Sequence, residues 1–491
     1  MEIAKSYYRV KAAFDQLLLG QSLRAKAARG GAWVGGASIA EQAGRFARNM
    51  ILTRLLAPNA FGAMAIVMSS SAIVGTLIDV GQKAAVVQNP RGAEKAYLDA
   101  AWWMGMGRAV ATYIVIFAMA PWVARFYGNS ELSVLLQVTL LGTLFEGAMS
   151  PRSILPQKEL KFGRWAAISN GGAICGVILT VILSFALRSV WALAIGFCSE
   201  NAFRCLFSYI LCPGLPSLGW DRHAARDLLK FSRGIFGLSF MTLILGRMDI
   251  FVLGKLYSST ALGLYTMAVF LVQTPSSFIT NALGQTLLPA FSHVQMDRER
   301  INRILLEVTS WLILLGLPLV VVIWLCGPSL LRVLYGARYV AAGAPLAVAS
   351  AVVFITILNA VITCTLVGMG RPALHRLAVA ASAATMLVAI YPACKLLGVV
   401  GGQVAALAAI VVSYVLQVIL MCKLTGLDVL RYGKAFAPAV LASFGLLCVG
   451  LGARFFGFAT RPLANIALAA SACVVAYALC LPAYLKIKEV A

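Results

Sequence analysis

The chain has 491 residues, of which 61% are hydrophobic and only 12% charged, against roughly 45–50% apolar and ~25% charged in soluble domains, so a set of water-soluble domains is excluded. Its 41 Lys and Arg against 18 Asp and Glu give a net charge of +23, which in a soluble chain would point to nucleic acid. Here the basic residues gather in alternate short loops between apolar blocks, as the positive-inside rule requires of a membrane protein, and no nucleic-acid partner is expected.

In chain order, residues 1–29 mix Lys5, Arg9, Lys11, Arg24 and Lys26 with Tyr7, Tyr8, Phe14, Leu17, Leu18 and Leu19. This pattern suits a cytoplasmic amphipathic segment on an anionic leaflet, in contact with membrane lipids, or a solvated tail. A short apolar stretch followed by a small-residue cleavage site is not seen there, so the amino terminus is expected to stay in the cytosol. Apolar blocks long enough to cross a ~30 Å hydrocarbon layer follow. The first six occupy residues 30–54, 60–87, 97–120, 131–150, 165–187 and 190–212. The next six occupy 231–254, 260–290, 304–330, 339–369, 372–394 and 398–422, and two more lie at 434–455 and 462–485.

The expected fold is therefore an all-α polytopic membrane protein of about fourteen transmembrane helices. It comprises an amino-terminal lobe (30–212), a cytoplasmic linker (213–230), a carboxy-terminal lobe (231–424) and an accessory pair with its tail (425–491). An even number of spans places both termini in the cytoplasm. An internal repeat at an offset of about 201–208 residues supports the six-plus-six division. Gly36-Ala37-Ser38 matches Gly237-Leu238-Ser239, Leu55 through Gly62 matches Leu256 through Gly263, Gly81-Gln82 matches Gly284-Gln285, and Phe126-Tyr127-Gly128 matches Leu334-Tyr335-Gly336. Two pseudo-symmetric six-helix bundles of the same topology would face each other across a midplane cavity.

The eleven cysteines lie within or at the ends of apolar blocks without C-x-x-C spacing, and His223, His293 and His375 are scattered. They read as small hydrophobes and solvated imidazoles, so no metal site and no cofactor is expected. No G-x-x-x-x-G-K-[ST] motif occurs; transport would draw on an ion gradient, the membrane potential or consumption of product.

Several stretches resemble one family. ILTRLLAPNAFGAMAIV (51–67) and LIDVGQKAAVVQ (77–88) in the first half, with DIFVLGKLYSSTALGLYTMAVFLVQTP (249–275) and LPAFSHVQMDRERINR (288–303) in the second, are similar to the polysaccharide (oligosaccharide-lipid) flippases of the MOP superfamily, in their Wzx-like branch. LPQKELKF (155–162) resembles that family's basic cytoplasmic loop, while Ala57 stands where many members carry glycine. The resemblance implies export of a polyprenyl-diphosphate-linked glycan unit across a bacterial cytoplasmic (inner) membrane, in company with a polysaccharide polymerase and a chain-length regulator. It implies no particular glycan.

Charged residues inside the spans are the candidates for that task. Arg45, Arg48, Arg108, Arg204 and Arg247 would together cost on the order of 15 kcal/mol if turned to lipid, so they are expected to face the cavity. Glu41, Arg45 and Arg48 follow i, i+4, i+7 spacing on one helix face, and Glu200 and Arg204 repeat the i, i+4 arrangement. Two readings stay open: neutralised ion pairs between helices, or a cationic wall whose planar guanidinium forks fit diphosphate oxygens. At the repeat offset Arg48 corresponds to Asp249, which would make the two a gate. Asp79 and Glu146 tie helix ends or take up a coupling proton. A membrane glycosyltransferase or polymerase, a multidrug or other small-molecule exporter and a peptidoglycan-precursor flippase are the rival functions. The first needs reacting groups in large loops, the second an acidic cavity, and the third shares the fourteen-span plan.

Overall fold

The computed structural model describes residues 23–78, 86–87, 89–159, 161–217, 221–434, 436–455, 462–467 and 469–473. Among these residues the regular structure is helical throughout, with no strand. The principal helices begin with α1 (Leu23–Leu55), α2 (Pro58–Ile78), α3 (Lys95–Tyr127), the short α4 (Glu131–Thr139) and α5 (Leu141–Gly147), α6 (Phe162–Leu187) and α7 (Val190–Leu211). They are followed by α8 (Arg222–Leu256), α9 (Ser259–His293), α10 (Arg298–Leu334), α11 (Gly343–Gly368), α12 (Pro372–Leu397), α13 (Gly401–Thr425) and α14 (Ala437–Phe455).

Eight segments among the described residues are long and apolar enough to cross a bilayer, and a ninth is reached if Glu131–Gly147 and Pro151–Lys158, bent by 77°, form one span. One of the eight, Pro372–Thr425, contains both α12 and α13. The protein is thus a multi-pass membrane protein. Helices α1 and α7, which carry the charged residues described below, stand outside that set. The fourth block departs from a single straight helix: it divides at Leu140 and turns again at Ala148–Ser150 before Pro151.

Chain contacts divide the molecule into two compact units, residues 1–56 with 70–239 and residues 57–69 with 240–491. In the first unit α6 packs on α7 and on α1, α7 packs on α5, and α3 packs on α4 and α5. In the second, α12 packs on α13, α11 on α9, α10 and α13, and α10 on α14. Counting spans from the start of each repeat, the third-with-fourth, fourth-with-sixth and fifth-with-sixth pairings recur in both units. The helix after α14 adds Ala469 and Cys473 to a buried cluster with Leu325, Cys326 and Leu446.

The repeat register at Leu55–Gly62 and Leu256–Gly263 has a direct structural expression. Within the second unit, the first turns of α2 and α9 cross so closely that a methyl group on Gly62 would lie 1.8 Å from the Ser259 carbonyl oxygen. One on Gly263 would lie 1.8 Å from the Pro58 carbonyl oxygen. Gly62 and Gly263, like Pro58 and Ser259, are one repeat offset apart, so the contact is reciprocal, each helix offering the same two positions.

The loops of the first unit are knitted together. Lys158 donates from Nζ to the carbonyls of Asn89 and Pro90, and buried Asp99 accepts from the Ser217 hydroxyl. Asp221 caps α8 by accepting from the amides of His223 and Ala224. Those amides, Ala224 first, together with Arg91, hold its carboxyl below the ordinary range. Behind the cap, Ala224 and Leu228 of α8 pack against Val86, Tyr97, Leu98, Ala100 and Ala101.

Helix α6 ends on Arg188, the one described non-glycine residue with positive φ, at 47°. Helix α3 ends on Gly128 at φ 68°. A left-handed residue with a Cβ costs roughly 1 kcal/mol more than glycine at such a terminus. Arg188→Gly is expected to stabilise the protein by about 0.5–1 kcal/mol, read as a raised unfolding temperature in detergent; an unchanged or lowered one rejects this account of the helix end.

Candidate functional site

Helices α1 and α7 each carry an acid four residues before an arginine, in Glu41-Gln42-Ala43-Gly44-Arg45 and Glu200-Asn201-Ala202-Phe203-Arg204. The i, i+4 interval puts acid and base on one helix face. Helix α6 packs on both of these helices. Gly172 and Gly176, one helical turn apart on α6, make the approach to α7 possible, since a methyl group on Gly172 would lie 2.9 Å from the Arg204 Cα and one on Gly176 2.7 Å from the Glu200 Cα. Small residues at this interval let helix backbones meet in a bilayer. Their effect here is to set the stems of Glu200 and Arg204 against a smooth backbone surface.

The four side chains close into one network. Arg45 donates from Nε to Glu41 Oε1 at 3.0 Å and from Nη2 to Glu200 Oε1. Arg204 Nη2 lies 2.9 Å from Glu200 Oε1 and 3.6 Å from Glu41 Oε1, and its Nε donates to the Ser169 carbonyl of α6 at 3.1 Å. Each arginine therefore meets both acids, and the set is neutral. Exposure is uneven: the side chains of Arg45 and Arg204 keep 25% and 26% of their surface open, whereas Glu200 keeps 7%. The arginine side chains are partly open, and the glutamate that bridges them is enclosed.

Arg48, one turn further along α1, stands beside this set with its Nε donating to Asn49 Oδ1 at 3.3 Å. It lies within electrostatic reach of Arg45 and Glu200. With Arg48 included, the five side chains carry a net positive charge.

The remaining residues expected from the sequence lie elsewhere. Arg108 is half-buried on α3, Arg247 is exposed on α8, and Glu146 is exposed on α5; Asp79 is outside the described residues. Asp249, on α8 in the second unit, is buried. Its carboxylate accepts from the Tyr265 hydroxyl of α9 at 2.5 Å and from the Ile250 amide at 2.8 Å. Gln403 of α13 donates to the same Tyr265 oxygen at 2.6 Å. Tyr265 and Gln403 were not singled out by sequence because their distance along the chain from Asp249 gives no periodic signal. Gly172 and Gly176 did carry one, as a small-x-x-x-small pair.

Residues 51–344 match the family described as polysaccharide biosynthesis protein. The chain is similar to the succinoglycan biosynthesis transport protein ExoT of Rhizobium meliloti (strain 1021), at 23% identity over 298 residues that cover 60% of each chain. It is also similar to the lipopolysaccharide biosynthesis protein WzxC of Escherichia coli (strain K12), at 20% identity over 323 residues covering 65% of each. The chain thus spans under two-thirds of the length of these relatives. Among solved structures, the lipid II flippase MurJ in an inward closed conformation shares the fold with a TM-score of 0.75 at 11% identity, over 93% of this chain and 99% of that one.

Proposed function

The chain belongs to the polysaccharide biosynthesis protein family, and from that premise we propose that it moves a polyprenyl-diphosphate-linked oligosaccharide unit from one leaflet of a bacterial cytoplasmic membrane to the other. Alternating access of two six-helix repeats, with a further helix pair at the carboxyl end, is the mechanism this reading calls for. Fourteen spans with both termini in the cytoplasm complete it. A polymerase and a chain-length regulator would receive the unit afterwards.

The observation that carries the proposal is the pair of partly open arginine side chains on α1 and α7, set against the apolar helix α6. Bare glycan hydroxyls crossing hydrocarbon would each forfeit hydrogen bonds worth a few kcal/mol, and a diphosphate far more, so a carrier must offer it charge. Arginine suits the diphosphate because its planar fork meets two phosphate oxygens at once and keeps its charge in a low-dielectric setting. Relatives of the chain whose names specify succinoglycan and lipopolysaccharide biosynthesis support the cargo class. Arg48, Arg108 and Arg247 extend the cationic path in this proposal, and Asp79, Glu146 and Asp249 are its acids.

The test is a leaflet-resolved assay of lipid-linked glycan in cells lacking the protein. Precursor is expected to accumulate on the cytoplasmic leaflet, to be cleared by the wild-type chain and not by Arg45→Gln or Arg204→Gln, each lowering transport at least ~10²-fold for loss of a charge-assisted phosphate contact. Normal leaflet distribution without the protein defeats the proposal.

A further inference from the structure

A neutral network is an odd resting place for arginines that must receive an anion. In the structure the two most engaged guanidinium groups already face carboxylate oxygens, Glu41 Oε1 and Glu200 Oε1. The acids also differ in mobility of access. Glu200 is the more enclosed, with its stem laid against Gly176 of α6, while Glu41 lies on α1 with 16% of its side chain open.

From this arrangement we infer that Glu41 and Glu200 are place-holding anions of a diphosphate site made by Arg45 and Arg204, and that the cargo binds by exchanging its phosphate oxygens for their carboxylates. The inference rests on the proposed function for the identity of the cargo. It goes beyond it in assigning the acids a role opposite in sign to that of the arginines. An arginine left bare among apolar helices would be costly and would hold any anion too firmly to release it. A tethered carboxylate lowers both costs: it neutralises the site when empty and competes with the phosphate when full. Affinity is thereby given up for turnover, since a carrier that binds its cargo too tightly does not let go of it.

The exchange also accounts for the reciprocal form of the network. Because each arginine touches both acids, a diphosphate that displaces one carboxylate leaves the other in place, so neither arginine passes through a fully unpaired state.

The experiment uses the full chain in detergent, with inorganic pyrophosphate and farnesyl diphosphate as probes and orthophosphate as the weaker comparison. Glu200→Gln, and separately Glu41→Gln, should bind the diphosphates about tenfold more tightly than wild type, as expected when a competing charge pair is removed. Pyrophosphate should also raise the unfolding temperature of each variant more than that of the wild type, since the anion now fills the vacated position. Turnover in the leaflet assay should fall despite the tighter binding. A purely structural role for the acids predicts the reverse, namely weaker or unchanged binding and no added thermal shift, and that result overturns the inference. If Glu200→Gln does not fold, the pyrophosphate shift of Glu41→Gln decides alone. Failure of the proposed function is a separate outcome: it would appear as wild-type protein that leaves the glycan lipid on its original leaflet.

Discussion

Gly62→Val and Gly263→Val should each abolish accumulation of folded protein, whereas Gly284→Val should be accepted. At the first two positions the new Cβ would stand 1.8 Å from a carbonyl oxygen of the crossing helix, and at the third it meets nothing within 4 Å. Ordinary overpacking costs about 1–3 kcal/mol because neighbouring side chains can move aside. Here the obstacle is the main chain of a helix's first turn, whose displacement disrupts the Ser258 cap that accepts from the Ala261 amide at 3.3 Å. The cost should therefore exceed ~3 kcal/mol, a large share of a total stability of about 5–15 kcal/mol. Size-exclusion profiles and unfolding temperatures of the three variants supply the measurement. Similar behaviour at residues 62, 263 and 284 would show that the reciprocal crossing is absent.

That contact also marks how far the sequence could be read. The match of Leu55–Gly62 with Leu256–Gly263 gave the repeat its register, and a residue pair recurring at one offset is visible in a single chain. That the two copies of the motif meet each other was not visible, because periodicity orders residues along a helix and says nothing of which helix faces it. The same boundary runs through the charged set. Spacing placed Glu41 with Arg45 and Glu200 with Arg204, and hydrocarbon solvation explained why all four should avoid lipid. The bridge from α1 to α7 came only with the packing of α6, whose Gly172 and Gly176 draw α7 close. Asp249 illustrates the harder case: its partner Tyr265 lies on the next helix, and the carboxylate is satisfied by a neutral hydroxyl that no charge-pairing rule would nominate. The fourth block shows a local break that its composition does not announce, a division at Leu140. Its end at Ala148–Ser150 coincides with the end of the apolar run, where Pro151 cannot donate to a continuing helix.

Removing one member of the ion network should cost the protein more than removing all four. Glu200→Ala leaves Arg45 and Arg204 sharing Glu41 alone, and an uncompensated charge of this kind costs about 3–5 kcal/mol. The exposure of roughly a quarter of each arginine side chain draws the value towards the lower end, because water or headgroups can reach the bare guanidinium groups. The quadruple change of Glu41, Arg45, Glu200 and Arg204 to glutamine or methionine abolishes the attraction and the desolvation cost together, so its stability should return to within about 2 kcal/mol of wild type. Transport should not return with it, since the phosphate-binding forks are gone. Stability and flux thus separate: thermal unfolding ranks the single variant below the quadruple one, while the leaflet assay finds the quadruple variant inactive. Additive losses across the four positions would mean that the side chains act singly and not as one network. Restored transport in the quadruple variant would remove the arginines from the path of the cargo.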